Sequence, residues 1–92
     1  MFVRTFVVSC PFEGLFIKHV ATFVGNDVAE VSQMLKNKHT VEFDGLRDFL
    51  CDSSEYNNSQ MNRALKTDMG YLALIDLAQK WGWTVTDIKS EV

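Results

Sequence analysis

The sequence predicts an α+β fold: one small domain with a mostly antiparallel sheet packed by two or three helices, in the order β-β-α-β-α-α-β. Three observations carry that expectation. At 92 residues the chain is about one domain long. Its first 25 residues are two runs rich in β-branched and aromatic side chains, split by one proline–glycine interruption. Its later half spaces apolar residues at helical intervals and then ends in a short Val/Thr run. Strands that pair locally, with helices between them, give an antiparallel sheet covered on one face. A ferredoxin-like arrangement would need β-α-β-β-α-β, which this order is not.

The first strand is Phe2 to Ser9. Cys10-Pro11-Phe12-Glu13-Gly14 supplies turn chemistry, because proline cannot continue a central ladder and glycine accepts positive φ. Leu15 to Val24 then returns as the second strand of a hairpin. Leu15, Ile17, His19, Ala21 and Phe23 share one face, and Phe16, Lys18, Val20, Thr22 and Val24 the other. Apolar residues on both faces imply that one strand is central or that the second face is covered by a partner.

Asp27 followed by Glu30 has the spacing of a helix-starting capping box, and Val28, Val31, Met34 and Leu35 make one apolar face that stops at Asn37. Thr40-Val41-Glu42-Phe43 alternates like a short strand. Asp44 then caps a short helix through Cys51, with Leu46, Phe49 and Leu50 inward. Residues 52–59 are the most loop-like stretch. The strongest helix starts at Gln60, with Met61, Leu65, Met69 and Leu72 beside Tyr71, Leu74, Ala78 and Trp81. Gly70 sits inside it and Gly82 ends it. Trp83 to Lys89 closes the sheet.

Composition excludes several classes. Hydrophobic content of 47% with 23% charged residues is that of a folded domain, not a disordered one. Two cysteines, Cys10 and Cys51, are too few for a disulfide framework and point to free thiols in a reducing, cytoplasmic setting. Arg4, Pro11, Glu13 and Lys18 cut the N-terminal apolar run far below the ~20 residues of a membrane helix, so no membrane contact is expected. No calcium loop, zinc spacing or phosphate-binding glycine loop is present, and neither His19 nor His39 lies in a paired spacing; no metal and no cofactor is expected.

Charge is unevenly spread. The chain carries −3 overall. Glu42, Asp44, Asp48, Asp52 and Glu55 stand against Arg47 alone, a local −4 that leaves the remaining residues at +1. On a helix, Asp44, Asp48 and Asp52 would stack at i,i+4, where like charges repel by about 0.2–0.5 kcal/mol per pair. Such a stack either faces solvent or presents charge to a basic surface.

The function these residues favour is a small non-enzymatic protein-binding module, an inhibitor or regulator of the accessory type that phages and mobile elements encode. It would dock a basic protein partner through Glu42, Asp44, Asp48, Asp52 and Glu55. The alternative is a homodimeric structural or regulatory domain whose sheet meets its own copy, with Phe12, Phe16 and Trp83 as candidate exposed apolar residues. A small enzyme would need Cys10 as nucleophile beside a base such as His19 or His39, and no spacing supplies the pair. A nucleic-acid partner is disfavoured by the net charge; it would use Lys36, Lys38, His39, Arg63 and Lys66, with Tyr56 or Trp83 to stack.

Overall fold

Residues Phe2–Phe12 form strand β1 and Leu15–Gly25 strand β2, the two sides of an antiparallel hairpin whose register runs from Phe2 opposite Gly25 to Phe12 opposite Leu15. The computed structural model describes residues 1–12, 14–38, 40–53, 63, 66 and 70–92, with backbone only at 12, 52 and 53. The turn closes on Gly14 at φ +80°, a conformation that side chains with a Cβ rarely adopt. The last strand, β3 (Thr84–Glu91), pairs antiparallel with the other side of β1, giving the order β2-β1-β3. This pairing begins at Ser9 opposite Thr84. The hairpin therefore projects beyond β3, and β1 continues through Pro11 where it has a partner on one side only. Proline is tolerated there because no second ladder needs its missing N–H.

Three helices are described. Helix α1 (Val28–Lys36) starts as its sequence requires: Glu30 N–H donates to Asp27 Oδ1 at 2.9 Å, and Asn26 N–H donates to Glu30 Oε2 at 3.1 Å. It ends at Asn37, also as expected. Helix α2 spans Val41–Ser53, and α3 spans Tyr71–Lys80. The observed order is β-β-α-α-α-β. The α+β class and the antiparallel sheet are as predicted, but residues 40–43 are not a strand.

The reason is a cap. Thr40 Oγ1 accepts from Phe43 N–H at 3.0 Å, and the Thr40 carbonyl accepts from Asp44 N–H at 3.1 Å. The cap is therefore Thr40, four residues before Asp44, the residue whose type suggested that position. Phe43, Leu46 and Leu50, all under 3% exposed, then follow one helical stripe that the short alternation at 40–43 obscured.

The long helix also starts later than its spacing suggests. Gly70 has φ +62° and ψ −122°, which no residue inside a helix can adopt, so α3 begins at Tyr71. Met61, Leu65 and Met69 lie outside the described residues. The C-terminal end is as expected: Gly82 N–H donates to the Gln79 carbonyl at 3.0 Å. Lys80 bonds Asp76 at 3.0 Å one turn back.

All three described helices cover one face of the sheet. Phe6, Val8, Cys10, Ala21 and Phe23 from the strands meet Val31 and Leu35 of α1, the α2 stripe, and Tyr71, Leu74 and Ala78 of α3 in one cluster. Tyr71 joins them most tightly, its ring 5.2 Å from Phe6 and 4.9 Å from Phe23. Such ring pairs contribute about 0.5–1.5 kcal/mol each beyond their area. The shortest principal extent, 19 Å, is that of two layers. Among the described residues no helix is long and apolar enough to cross a membrane.

Candidate interaction surfaces

The acidic candidates are only partly brought together. Glu42, Asp44 and Asp48 lie on α2, with Glu42 half-buried and the two aspartates exposed. Glu55 and the side chain of Asp52 lie outside the described residues. Arg47 sits between the aspartates, its guanidinium 3.6 Å from Asp44 and 3.7 Å from Asp48. These are long, exposed ion pairs, each contributing at most about 1 kcal/mol. Even so they offset part of the repulsion that i,i+4 acids would otherwise feel.

Cys10, the one tempting nucleophile, is not at a projecting loop. It lies within β1, 1% exposed, and burial pushes its thiol above the ordinary range. Activation of a thiol requires the opposite shift. Cys51, the other free thiol, is exposed on α2. His19 lies under α2, its ring stacked 5.5 Å from that of Phe49. A Cβ at Gly45 would lie 3.2 Å from His19 Cε1, so the absent side chain at 45 makes room for the imidazole. Burial lowers the His19 pKa from its ordinary value, and its Nε2 has no hydrogen-bond partner among the described residues. Among the described residues no group of His, Cys, Asp or Glu could hold a metal ion.

Of the residues suspected as an exposed apolar patch, Phe16 is 69% exposed, but Trp83 is buried. Its ring packs 5.5 Å from Trp81 and 5.6 Å from Phe49, so it offers no face on which a base could stack. The side chain of Phe12, and Tyr56 and His39 entirely, lie outside the described residues.

The larger surface is the sheet face that no described helix covers. Because side chains alternate along a strand, the register sorts this face into rows across β2, β1 and β3. Val24, Val3 and Ser90 form the first; Thr22, Thr5 and Ile88 the second; Val20, Val7 and Thr86 the third. Lys18, Ser9 and Thr84 form the fourth, and Phe16 and Pro11 the last. Val20 is 59% exposed, Ile88 51% and Val24 43%. The Thr5 and Thr22 hydroxyls lie 3.3 Å apart and hydrogen-bond each other. Lys18 is the one ionisable side chain in the five rows. The sequence did signal this surface through the even positions of Leu15–Val24, all β-branched or aromatic except Lys18; what it did not reveal was that every described helix packs on the other face.

Comparison with known proteins finds no matching family model, no matching curated protein and no matching solved structure.

Proposed function

We propose that the chain is a small non-enzymatic protein-binding module whose binding surface is the open face of the sheet, acting as an inhibitor or regulator in the cytoplasm. The observation that supports this reading is the row composition: three consecutive rows across all three strands hold only Val, Ile, Thr and Ser. Five of those nine side chains, Val3, Val7, Val20, Val24 and Ile88, are aliphatic and the other four are uncharged hydroxyls; clustered exposed apolar residues of this kind mark contact surfaces. Carbene footprinting tests it. Val20 and Ile88 are expected to be protected in lysate of producing cells relative to dilute purified chain. Equal labelling in both would contradict the reading.

A second reading has its own support. Asp44 and Asp48 are exposed on α2 and could steer a basic partner, as the charge distribution suggested. They lie on a helix that packs on the covered face of the sheet, so they are not part of the open face. Substituting Asp44 and Asp48 with Asn tests this reading: association with a basic partner would slow, most at low salt. An unchanged rate would leave the aspartates as solvated surface.

A further inference from the structure

We infer that the occupant of the open sheet face is a second copy of the same face, two three-stranded sheets closing into a six-stranded sandwich. The inference rests on the reading of that face as a binding surface and names its partner. Charge comes first. A nucleic acid or an anionic membrane would need cations, and the face offers Lys18 alone, in the fourth of five rows. A charged protein surface would leave its own charges buried and unpaired against three uncharged rows. The complement of a pleated, β-branched, uncharged face is another such face, and aligned sheet packing joins two of them by interdigitation about 10 Å apart. Among the described residues this chain has one such face, its own.

Size comes second. Strands β1 and β2 are each 11 residues long. At about 3.3 Å per residue and about 4.8 Å between strands, the face is three strands wide over the eight residues of β3, roughly 26 by 14 Å, and the projecting hairpin adds roughly 10 by 10 Å, a flat footprint of about 460 Å². Two copies face to face therefore cover about 900 Å² of flat area, and the pleated accessible surface removed from water exceeds that flat figure, near the size at which specific interfaces begin. Symmetry comes third. In a two-fold pairing the same patch serves both partners. Val7, in the middle strand of the middle row, then meets its counterpart whether the axis runs along or across the strands. The edge positions of that row, Val20 and Thr86, face each other or themselves, and both are exposed in the single chain.

Light scattering on the purified full chain, from about 1 µM to about 300 µM, tests the inference across the dissociation constants typical of small interfaces. The mass is expected to rise from 10.5 kDa to twice that value. Val20→Lys and Thr86→Lys should each weaken the dimer at least about tenfold, with unchanged circular dichroism in dilute solution, because each buries a charge against an uncharged face. Asp48→Asn, on α2 and outside the open face, should leave it intact. A mass of 10.5 kDa at every concentration overturns the inference, as does a dimer that both lysine variants leave unaltered. A monomer whose face is nonetheless protected in lysate would overturn the second copy alone and leave the binding-module reading standing with a different partner.

Discussion

Gly70 lies against the end of α1: a Cβ placed on it would sit 2.5 Å from the Leu35 carbonyl oxygen and 2.8 Å from that of Lys36. The close approach joins the start of α3 to the last turn of α1, and the positive φ at Gly70 turns the chain into α3. Both requirements exclude a side chain. Gly70→Ala should therefore cost about 2–3 kcal/mol, strain and displacement of backbone together. Chemical denaturation measures it; a cost below about 0.5 kcal/mol would mean that the two helix ends do not touch.

The Arg4 guanidinium donates to both carboxylate oxygens of Asp87, at 3.0 and 2.8 Å, while lying 4.8 Å over the Phe6 ring. This pair ties β3 to β1. The Arg4 hydrogen bonds, against opposing desolvation and with help from the Arg4 and Lys89 charges, hold the Asp87 carboxyl below its ordinary 3.8. A carboxyl depressed on folding stabilises the protein above its unfolded pKa, and that contribution is lost as pH falls through the folded value. Asp87→Asn should thus cost about 1 kcal/mol at neutral pH and flatten the decline in stability below pH 3.8. Thermal unfolding as a function of pH reads both. Parallel acid limbs in the two proteins would contradict the pairing.

Tyr71 is fully buried, yet its hydroxyl has no hydrogen-bond partner among the described residues. Burial, and then the nearby Glu42 charge, raise its pKa well above the ordinary 10.0. A raised pKa means that this group's contribution is fully present below pH 10.0 and is lost as pH climbs towards the folded value. Tyr71→Phe keeps the ring contacts with Phe6 and Phe23 and removes the orphaned oxygen. It should be neutral or stabilise by about 1 kcal/mol, and it should soften the alkaline limb above pH 10.0. A loss of 2 kcal/mol or more, on the order of a buried hydrogen bond to a charged group, would reveal a partner for the hydroxyl.

The two thiols should react at very different rates. Cys51 is exposed and Cys10 is buried with a raised pKa. Mass spectrometry during native alkylation should show one rapid addition, at Cys51, and a second only on unfolding. Fast addition at Cys10 in the native protein would revive the nucleophile reading.

How far the sequence could be read follows from where its signals are local. The Asp27–Glu30 cap, the stop at Asn37 and the Gly82 turn all depend on neighbours within four residues, and each appears where expected. The hairpin forms as expected too, but its first strand runs on through Cys10 and Pro11 to Phe12, residues whose types suggested the turn. The failures arise where a local pattern had two solutions. Thr40 to Phe43 alternates as a strand would, but the same residues continue the stripe of Leu46 and Leu50, and the Thr40 hydroxyl settled the choice. Gly70 falls within a helical spacing, and its positive φ and its close approach to Leu35, far along the chain, leave no local trace in the sequence. The candidate site shows the same division. The acids of α2 were visible as charge, whereas the open face depended on which side of the sheet the helices took. Trp83 illustrates it: it was a candidate for an exposed apolar patch, and packing against Trp81 and Phe49 takes it from the surface.

The central claim is that this chain acts by contact through the open face of its sheet. Photo-crosslinking from a reactive residue at position 20, compared with one at position 48 on α2, tests it most directly. The account predicts protein adducts from position 20 in producing cells, a second copy of the chain among them, with a lower yield from position 48. No adduct from position 20, or adducts from position 48 alone, would contradict it.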